Sequence, residues 1–179
     1  MADLSKYPMN FNNTTESISK APELFHNNNP MPIARYPNNS FLSTGQVMSK
    51  DNAPLYSFKY NGAQPSLWNR NQNIWMSGYL YYNWNDSIVK VSYIDIIDTL
   101  INFTDKLPYG IKEGQRFYLF NILEELDKAG EYYIDYNKHL LYFFPNAPIQ
   151  NSKIQLSKLT EPFIKMNDVS NVKIGRAHV

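Results

Sequence analysis

The chain has 179 residues, 43% of them hydrophobic and 15% aromatic, which is enough apolar material for a packed core and excludes an intrinsically disordered protein. Its 17 basic and 16 acidic residues give a formal net charge of +1, so it lacks the excess of positive charge expected of a nucleic-acid-binding protein. It contains no cysteine, which excludes disulfide bonds and thiolate metal sites. The length favours one domain, or one domain with part of another.

The start of the chain shows no signal peptide, and no apolar run approaches the roughly 18 residues that a membrane-spanning helix needs. A missing signal peptide would indicate a cytosolic protein only if Met1 were the true start. We expect instead that the chain is a fragment of a longer reading frame.

The first elements in chain order are an irregular segment and a hairpin. Residues 1–22 are polar and predicted to be irregular. Residues 23–26 and 31–36 then flank three asparagines, and because asparagine tolerates a positive φ angle, we expect a hairpin with an asparagine-built turn. Prolines at positions 30, 32 and 37 reduce the second arm to an edge strand or an irregular strand.

The middle of the chain is rich in short strand candidates. A weak strand at residues 56–60 lies in a loop-rich region, and a dense aromatic block follows at residues 74–84. Further strand candidates cover residues 88–93, 99–103, 116–126, 131–135 and 139–144. The third is predicted to be a strand that turns into a short helix before Gly130, and the last two are predicted to form a hairpin. Short strands with frequent turns are typical of a β-sandwich, so we predict that residues 23–150 form a β-sandwich-like accessory domain.

The end of the chain has a different pattern. Three evenly spaced strand candidates at residues 154–156, 163–166 and 172–174 predict that residues 151–174 begin a parallel β-helix, of which they would form about one coil. Residues 174–179 also match the translation of a common sequencing adapter in one frame, so we expect residues 175–179 to be a non-native tail. The predicted fold is therefore all-β, with a β-sandwich-like domain leading into the first coil of a right-handed parallel β-helix.

Three segments carry a resemblance to a known group of proteins. Residues 23–38 resemble the pattern ELF-x-NG-x-PM-x-LAR-W/Y-PN, and residues 74–86 resemble W-x-x-GYW-x-x-DWAD. Residues 123–145 resemble LLEELD-x-PGEWY-I/L-D followed by LYF-x-P. The chain departs from these patterns at Asn28, Leu80 and Ala129, where a glycine, an aromatic residue and a proline are usual.

All three patterns are similar to bacterial right-handed parallel β-helix (pectate-lyase-like) proteins, many of them carbohydrate-active, including glycoside hydrolases such as the β-xylosidase and α-fucosidase families. The resemblance implies an exported parent, extracellular or periplasmic, that acts on a polysaccharide or glycan without a cofactor. It places the catalytic carboxylates on later rungs of the helix, so no catalytic residue is assigned in this chain. A non-catalytic carbohydrate-binding module or surface adhesin on the same scaffold is the alternative.

The acidic residues of the chain do not form a catalytic pair. Glycoside hydrolysis needs two carboxylates facing each other across a sugar, but adjacent residues such as Glu124 and Glu125 point in different directions. With Asp127 and Glu131 they are expected to be solvated or to cap local backbone. Residues 95 and 98 are aspartates that flank a turn, where the same role is expected.

The candidates for carbohydrate contact are aromatic. Trp68, Trp75 and Trp84, among several tyrosines, could stack on sugars, while the alternative is that they fill the core or the interface to the β-helix. Trp84 lies between asparagines and is expected to be the most exposed. Arg35 could bind a substrate carboxylate or hydroxyl, or pair structurally with a carboxylate such as Asp86. No metal site is expected, because the histidines have no partner at ligand spacing.

Overall fold

The computed structural model describes residues 1–7, 22–48, 56–69, 73–103, 107–157, 164–173 and 175. These ranges contain fifteen short β-strands and two 3₁₀ helices, at Gln64–Leu67 and Leu123–Glu125. The prediction of an all-β chain is confirmed. The described ranges hold no helix with the length and apolar character to cross a membrane.

Two antiparallel sheets enclose the larger core. One has the order β4 (Arg35–Tyr36), β12 (Arg116–Phe120), β8 (Trp75–Gly78) and β9 (Ser87–Lys90), and β5 (Leu42–Ser43) also pairs with β12. The other has the order β10 (Tyr93–Asp95), β11 (Leu100–Phe103), β7 (Tyr56–Lys59) and β6 (Val47–Met48).

Their facing side chains form one continuous apolar cluster. Phe58 and Phe117 meet edge to face from the two sheets, with ring centroids 5.0 Å apart, and both are fully buried. On β12 the side chains alternate between this core and the outer face, as a strand with a period of two requires. This alternation leaves Arg116 and Tyr118 on the outer face.

Two smaller antiparallel sheets enclose a second core. One has the order β1 (Ala2–Asp3), β14 (Leu140–Phe143) and β13 (Tyr132–Asp135), and the other has the order β15 (Ile154–Leu156), β2 (Leu24–His26) and β3 (Asn29–Pro30). This second core is built from the buried residues Leu4, Leu24, Tyr132, Ile134 and Leu141.

Asn121 connects the two cores. Its side chain is fully buried, donates to the carbonyls of Asn73 and Ile134 at 3.0 and 3.1 Å, and accepts the Ile134 N–H at 3.1 Å. Its φ angle is 59°, a conformation that asparagine tolerates better than most residues. An isolated parallel bridge pairs Ile33 with Tyr132.

The turn chemistry follows the sequence. Asn27 and Asn28 have φ angles of 51° and 65° and close the hairpin between β2 and β3, which confirms the asparagine-built turn. The second arm predicted over residues 31–36 is not the partner of β2, which pairs with Asn29–Pro30; Arg35–Tyr36 instead forms the edge strand β4 against β12, and the prediction of an edge strand is confirmed there. The later hairpin is confirmed as β13 and β14, and the strand that turns into a short helix is confirmed as β12 and the 3₁₀ helix Leu123–Glu125.

The two ends of the chain differ from the predictions. Within the segment predicted to be irregular, Ala2 and Asp3 pair with β14, and residues 8–21 of that segment lie outside the described residues. Of the three strand candidates near the end, the first forms β15, which pairs antiparallel with β2, whereas residues 164–166 and 172–173 are exposed and form no strand. A single coil of a β-helix would have no neighbouring coil to pair with its backbone N–H and C=O groups. The backbone groups of β15 pair instead with strand β2. No parallel coil is present in the described residues.

Candidate functional site

Four exposed aromatic residues gather at one end of the five-stranded sheet. Tyr82 is the centre: Trp84 stacks on it with centroids 5.3 Å apart and ring planes 14° apart, and Tyr81 and Tyr109 meet it edge to face at 4.7 and 5.2 Å. Trp84 also meets Tyr109 edge to face at 5.5 Å. We call Tyr81, Tyr82, Trp84 and Tyr109 the aromatic platform. With 69% of its surface exposed, Trp84 is its most accessible member.

The platform is formed by two adjoining loops. The loop after β8 is anchored by Leu80, which is buried in the larger core and whose carbonyl accepts the Lys112 N–H at 2.8 Å. The Asn85 N–H closes a turn on the Tyr82 carbonyl at 3.2 Å, so the aromatic side chains of this loop remain at the surface. Leu80 occupies the position where the resembled pattern has an aromatic residue, and it serves as an apolar anchor.

A polar pocket lies next to the platform. Its lining residues are Asn83, Gly114, Gln115 and Arg116. The Arg116 guanidinium carbon lies 4.2 Å from the ring centroid of Tyr79 and 5.5 Å from that of Phe41, which are cation–π distances. The pocket thus places guanidinium and amide donors beside exposed aromatic rings.

The other two candidate tryptophans are buried. Trp75 is 2% exposed and packs with Phe120. Trp68 is 5% exposed, and its Nε1–H donates to Glu125 Oε1 at 2.6 Å. Core packing, the alternative weighed from the sequence, accounts for the positions of both residues, although Trp68 also lines a pocket with Pro65, Ile74 and Ile94. The candidate site does not include them.

Arg35 is held by the protein itself. Its Nε and Nη2 groups donate to the carbonyls of Pro37 and Ser40 at 2.9 and 2.7 Å, and its guanidinium carbon lies 3.6 Å from the Tyr118 ring centroid. Partial burial lowers the pKa of Arg35. The expected pairing with a carboxylate such as Asp86 is wrong, because backbone carbonyls and a ring take that place.

The acidic segment serves the fold. Glu131 Oε2 accepts the Lys128 N–H at 3.1 Å, which confirms the expected capping of local backbone. Glu124 is exposed, as expected, and its Oε1 accepts the N–H of the distant Asn69 at 3.0 Å. Glu125 is not solvated: it is 3% exposed and accepts from Trp68 and, at 2.7 Å, from Gln64 Nε2. Burial raises the pKa of Glu131 above its ordinary value. Asp95 caps its own turn through the N–H groups of residues 97 and 98.

Over the described residues, no three His, Asp or Glu side chains come together in a group that could hold a metal ion. His26 is buried, and its Nδ1 lies 2.8 Å from Asn146 Oδ1, which ties β2 to the segment after β14.

Two contributors to the site were not identified from the sequence. Tyr109 stands between Pro108 and Gly110, and Gly110 has a φ angle of 75°. A proline and a glycine around an aromatic residue are a turn signal that places the ring at the surface, and this signal could have found Tyr109. Arg116 opens a strand whose pattern gives no indication of what its side chain meets.

Comparisons with known proteins bear on the fold. No family model matches the chain, and no curated protein matches it. Among solved structures, one described as a glycoside hydrolase is similar to 74% of this chain with a TM-score of 0.56 and 17% sequence identity. The matched region is 26% of that protein, so this chain spans about a quarter of its length. At this identity the likeness is one of fold.

Proposed function

We propose that this chain is the glycan-contacting part of a carbohydrate-active protein, with the aromatic platform as its contact surface. The observation that carries the proposal is Trp84, which is largely exposed yet held by Tyr82 and Tyr109. A ring fixed in this way offers apolar area to the C–H face of a sugar, and tyrosine hydroxyls can bond to its hydroxyl groups. The fold-level likeness to a glycoside hydrolase supports the same class of ligand.

The parent protein is proposed to be a bacterial glycoside hydrolase on a right-handed parallel β-helix, exported to the periplasm or the outside. In this proposal residues 23–150 form one wall of the substrate cleft and residues 151–174 lead into the helix, whose later rungs carry the catalytic carboxylates. One observation supports it: after β15 the apolar side chains Ile164, Met166, Val169 and Val172 are all exposed. Stacking of further coils would cover such side chains.

The proposal is tested by measuring the affinity of the full chain for a panel of plant and host glycans, with Trp84→Ala as the main variant. We expect affinity for the bound glycan to fall by about tenfold, the scale of one lost aromatic contact with its buried area. The thermal midpoint should hardly change, because Trp84 is exposed. Ile97→Ala is the matched control: Ile97 is 89% exposed and lies in the turn between β10 and β11. Equal affinity for wild type and Trp84→Ala would contradict the proposal.

A non-catalytic binding module or adhesin is the second candidate. The observation that favours it is the composition of the aromatic platform, which consists of tyrosine and tryptophan side chains that can bind a sugar without cleaving it. Turnover of the bound glycan by the full-length parent separates the two candidates. Binding without turnover, together with rungs that lack paired carboxylates, identifies an adhesin or binding module.

A further inference from the structure

From the cation at the edge of the aromatic platform, we infer that the site selects an anionic sugar, with Arg116 binding a carboxylate or sulfate group on it. The inference rests on the proposed glycan contact and deepens it. Neither the fold likeness nor the platform alone indicates which class of sugar is bound.

Arg116 has unused hydrogen-bond donors. Its guanidinium lies over the rings of Tyr79 and Phe41, and in the described part of the chain no carboxylate lies within ion-pair distance of it. Ring stacking engages the flat face of a guanidinium and leaves its N–H groups, which point outward in the plane, for other partners. Those N–H groups fit the two oxygens of a carboxylate or two oxygens of a sulfate.

Arg35, on the same sheet, differs from Arg116 in how its hydrogen-bond donors are used. Arg35 also stacks on a ring, but its N–H groups donate to two backbone carbonyls, so it is a structural residue. Arg116 is exposed and donates to no protein oxygen among the described residues. The guanidinium N–H groups of Arg35 therefore have partners within the protein, whereas those of Arg116 are available to a ligand.

The Arg116 guanidinium lies where a sugar stacked on the platform could reach it. Asn83, which stands between platform residues Tyr82 and Trp84, lines the same pocket as Gln115 and Arg116. A substituent on a sugar at the platform would meet the guanidinium and the two side-chain amides there. Amide and guanidinium donors together match an anion better than a hydroxyl.

Hydrogen bonds hold the wall of this pocket in place. Thr44 is buried; its Oγ1 donates to the Lys112 carbonyl at 2.8 Å and accepts the Gln115 N–H at 2.9 Å. The Thr44 carbonyl accepts the Gly114 N–H at 2.8 Å. These bonds fix the segment that leads into Arg116, which lowers the cost of ordering it around a ligand. Lys112 adds a second exposed positive charge to this segment, opposed in part by Glu113.

The test compares sugars that differ only in charge. The full chain is titrated with an oligo-uronate and with the same oligosaccharide after carboxyl reduction, and separately with a sulfated galactan fragment and its desulfated form. We expect one anionic member to bind about three- to tenfold more tightly than its neutral partner, the range for a charged hydrogen bond at a partly exposed site. The difference should shrink at high salt, because exposed charges are screened.

The variant that isolates the guanidinium is Arg116→Gln, which removes the charge and keeps an amide. We expect it to weaken binding of the anionic sugar more than binding of its neutral partner, so that the ratio of the two affinities approaches one, while Arg116→Lys keeps part of the preference. Lys138→Gln is the control for loss of one positive charge, since Lys138 lies in the turn between β13 and β14.

The outcomes separate this inference from the proposed function. Preference for the uronate identifies a carboxylate ligand, and preference for the sulfated galactan identifies a sulfate ligand. Equal affinity for charged and neutral sugars, unchanged in Arg116→Gln but reduced in Trp84→Ala, overturns the inference and leaves the proposed function standing. Binding of no sugar in either pair or in the glycan panel overturns both.

Discussion

At the scale of single residues, Asn121 shows how one polar side chain can hold two apolar cores together. It satisfies the carbonyls of Asn73 and Ile134 and the N–H of Ile134, all away from solvent. Buried backbone groups of this kind cost free energy when they lose a partner. Asn121 also has a positive φ angle, at which most other residue types would be strained.

Asn121→Ala is expected to lower the free energy of unfolding by about 3 kcal/mol or more, because three buried groups lose their partner at about 1 kcal/mol or more each. Urea denaturation measures the loss. Asn151→Ala is the matched control, since Asn151 has a φ angle of 64° and is exposed, so it reports backbone strain alone, about 1 kcal/mol. Equal losses at the two positions would show that the hydrogen bonds of Asn121 contribute nothing.

At the scale of elements, the close pairing of β8 and β12 depends on a missing side chain. A Cβ atom at Gly78 would lie 2.6 Å from the Arg116 carbonyl oxygen and 2.6 Å from Phe117 Cβ. Gly78 pairs with Phe117 in the ladder, and the next residue, Tyr79, donates its N–H to the Arg116 carbonyl at 3.0 Å. The close packing of β8 against β12 also positions the Tyr79 ring beneath Arg116.

Gly78→Ala is expected to destabilise the protein by about 1–3 kcal/mol, the usual cost of extra atoms in a packed region. The backbone of β12 must move to admit the methyl group, so affinity at the platform should fall as well. Thermal unfolding and glycan titration are measured side by side. Ser77→Ala, in the same strand and without added atoms, should leave both nearly unchanged, and wild-type stability of Gly78→Ala would refute the packing argument.

Elements also show what the sequence could predict. The two hairpins could be predicted because local sequence determines their turns: Asn27 and Asn28 in the first hairpin, and the residues after Asp135 in the last. Pairings between distant segments, such as β15 with β2 and β1 with β14, were not found. Alternation of side chains indicates which face of a strand is buried and says nothing about which strand lies beside it.

The candidate site divides in the same way. The polar neighbours of Trp84 predicted its exposure. The same reasoning could not show that Trp68 meets Glu125 or that Arg116 lies beside the loop of Asn83, because these contacts join separate parts of the chain.

At the scale of the whole molecule, the two cores have different boundaries. The larger core is enclosed by its two sheets, whereas the smaller one depends on strands from both ends of the described chain. β15 covers β2, where Leu156 pairs opposite the buried Leu24, and the Asn27 N–H donates to the Lys153 carbonyl at 2.8 Å. The described residues after this strand, 164–173, are exposed throughout.

Truncation after Phe163, which removes the exposed residues 164–173, is therefore expected to change the free energy of unfolding by no more than about 0.5 kcal/mol, as for most surface changes. Truncation after Ser152 removes β15 and should weaken the smaller core first, because Leu24 loses its cover. Hydrogen exchange at the amides of β2 and β13, compared with that at β8 and β12, measures this difference. Loss of protection in both cores together would show that they unfold as one unit.

The unequal burial of the three tryptophans gives the protein a built-in optical reporter. Trp68 and Trp75 are 5% and 2% exposed, while Trp84 is 69% exposed, so a collisional quencher such as acrylamide reaches mainly the emission of Trp84. A molecule that settles on the platform would shield that one indole and shift its emission to shorter wavelength. Unfolding would move the other two the opposite way, so one fluorescence spectrum distinguishes occupancy of the platform from loss of the fold.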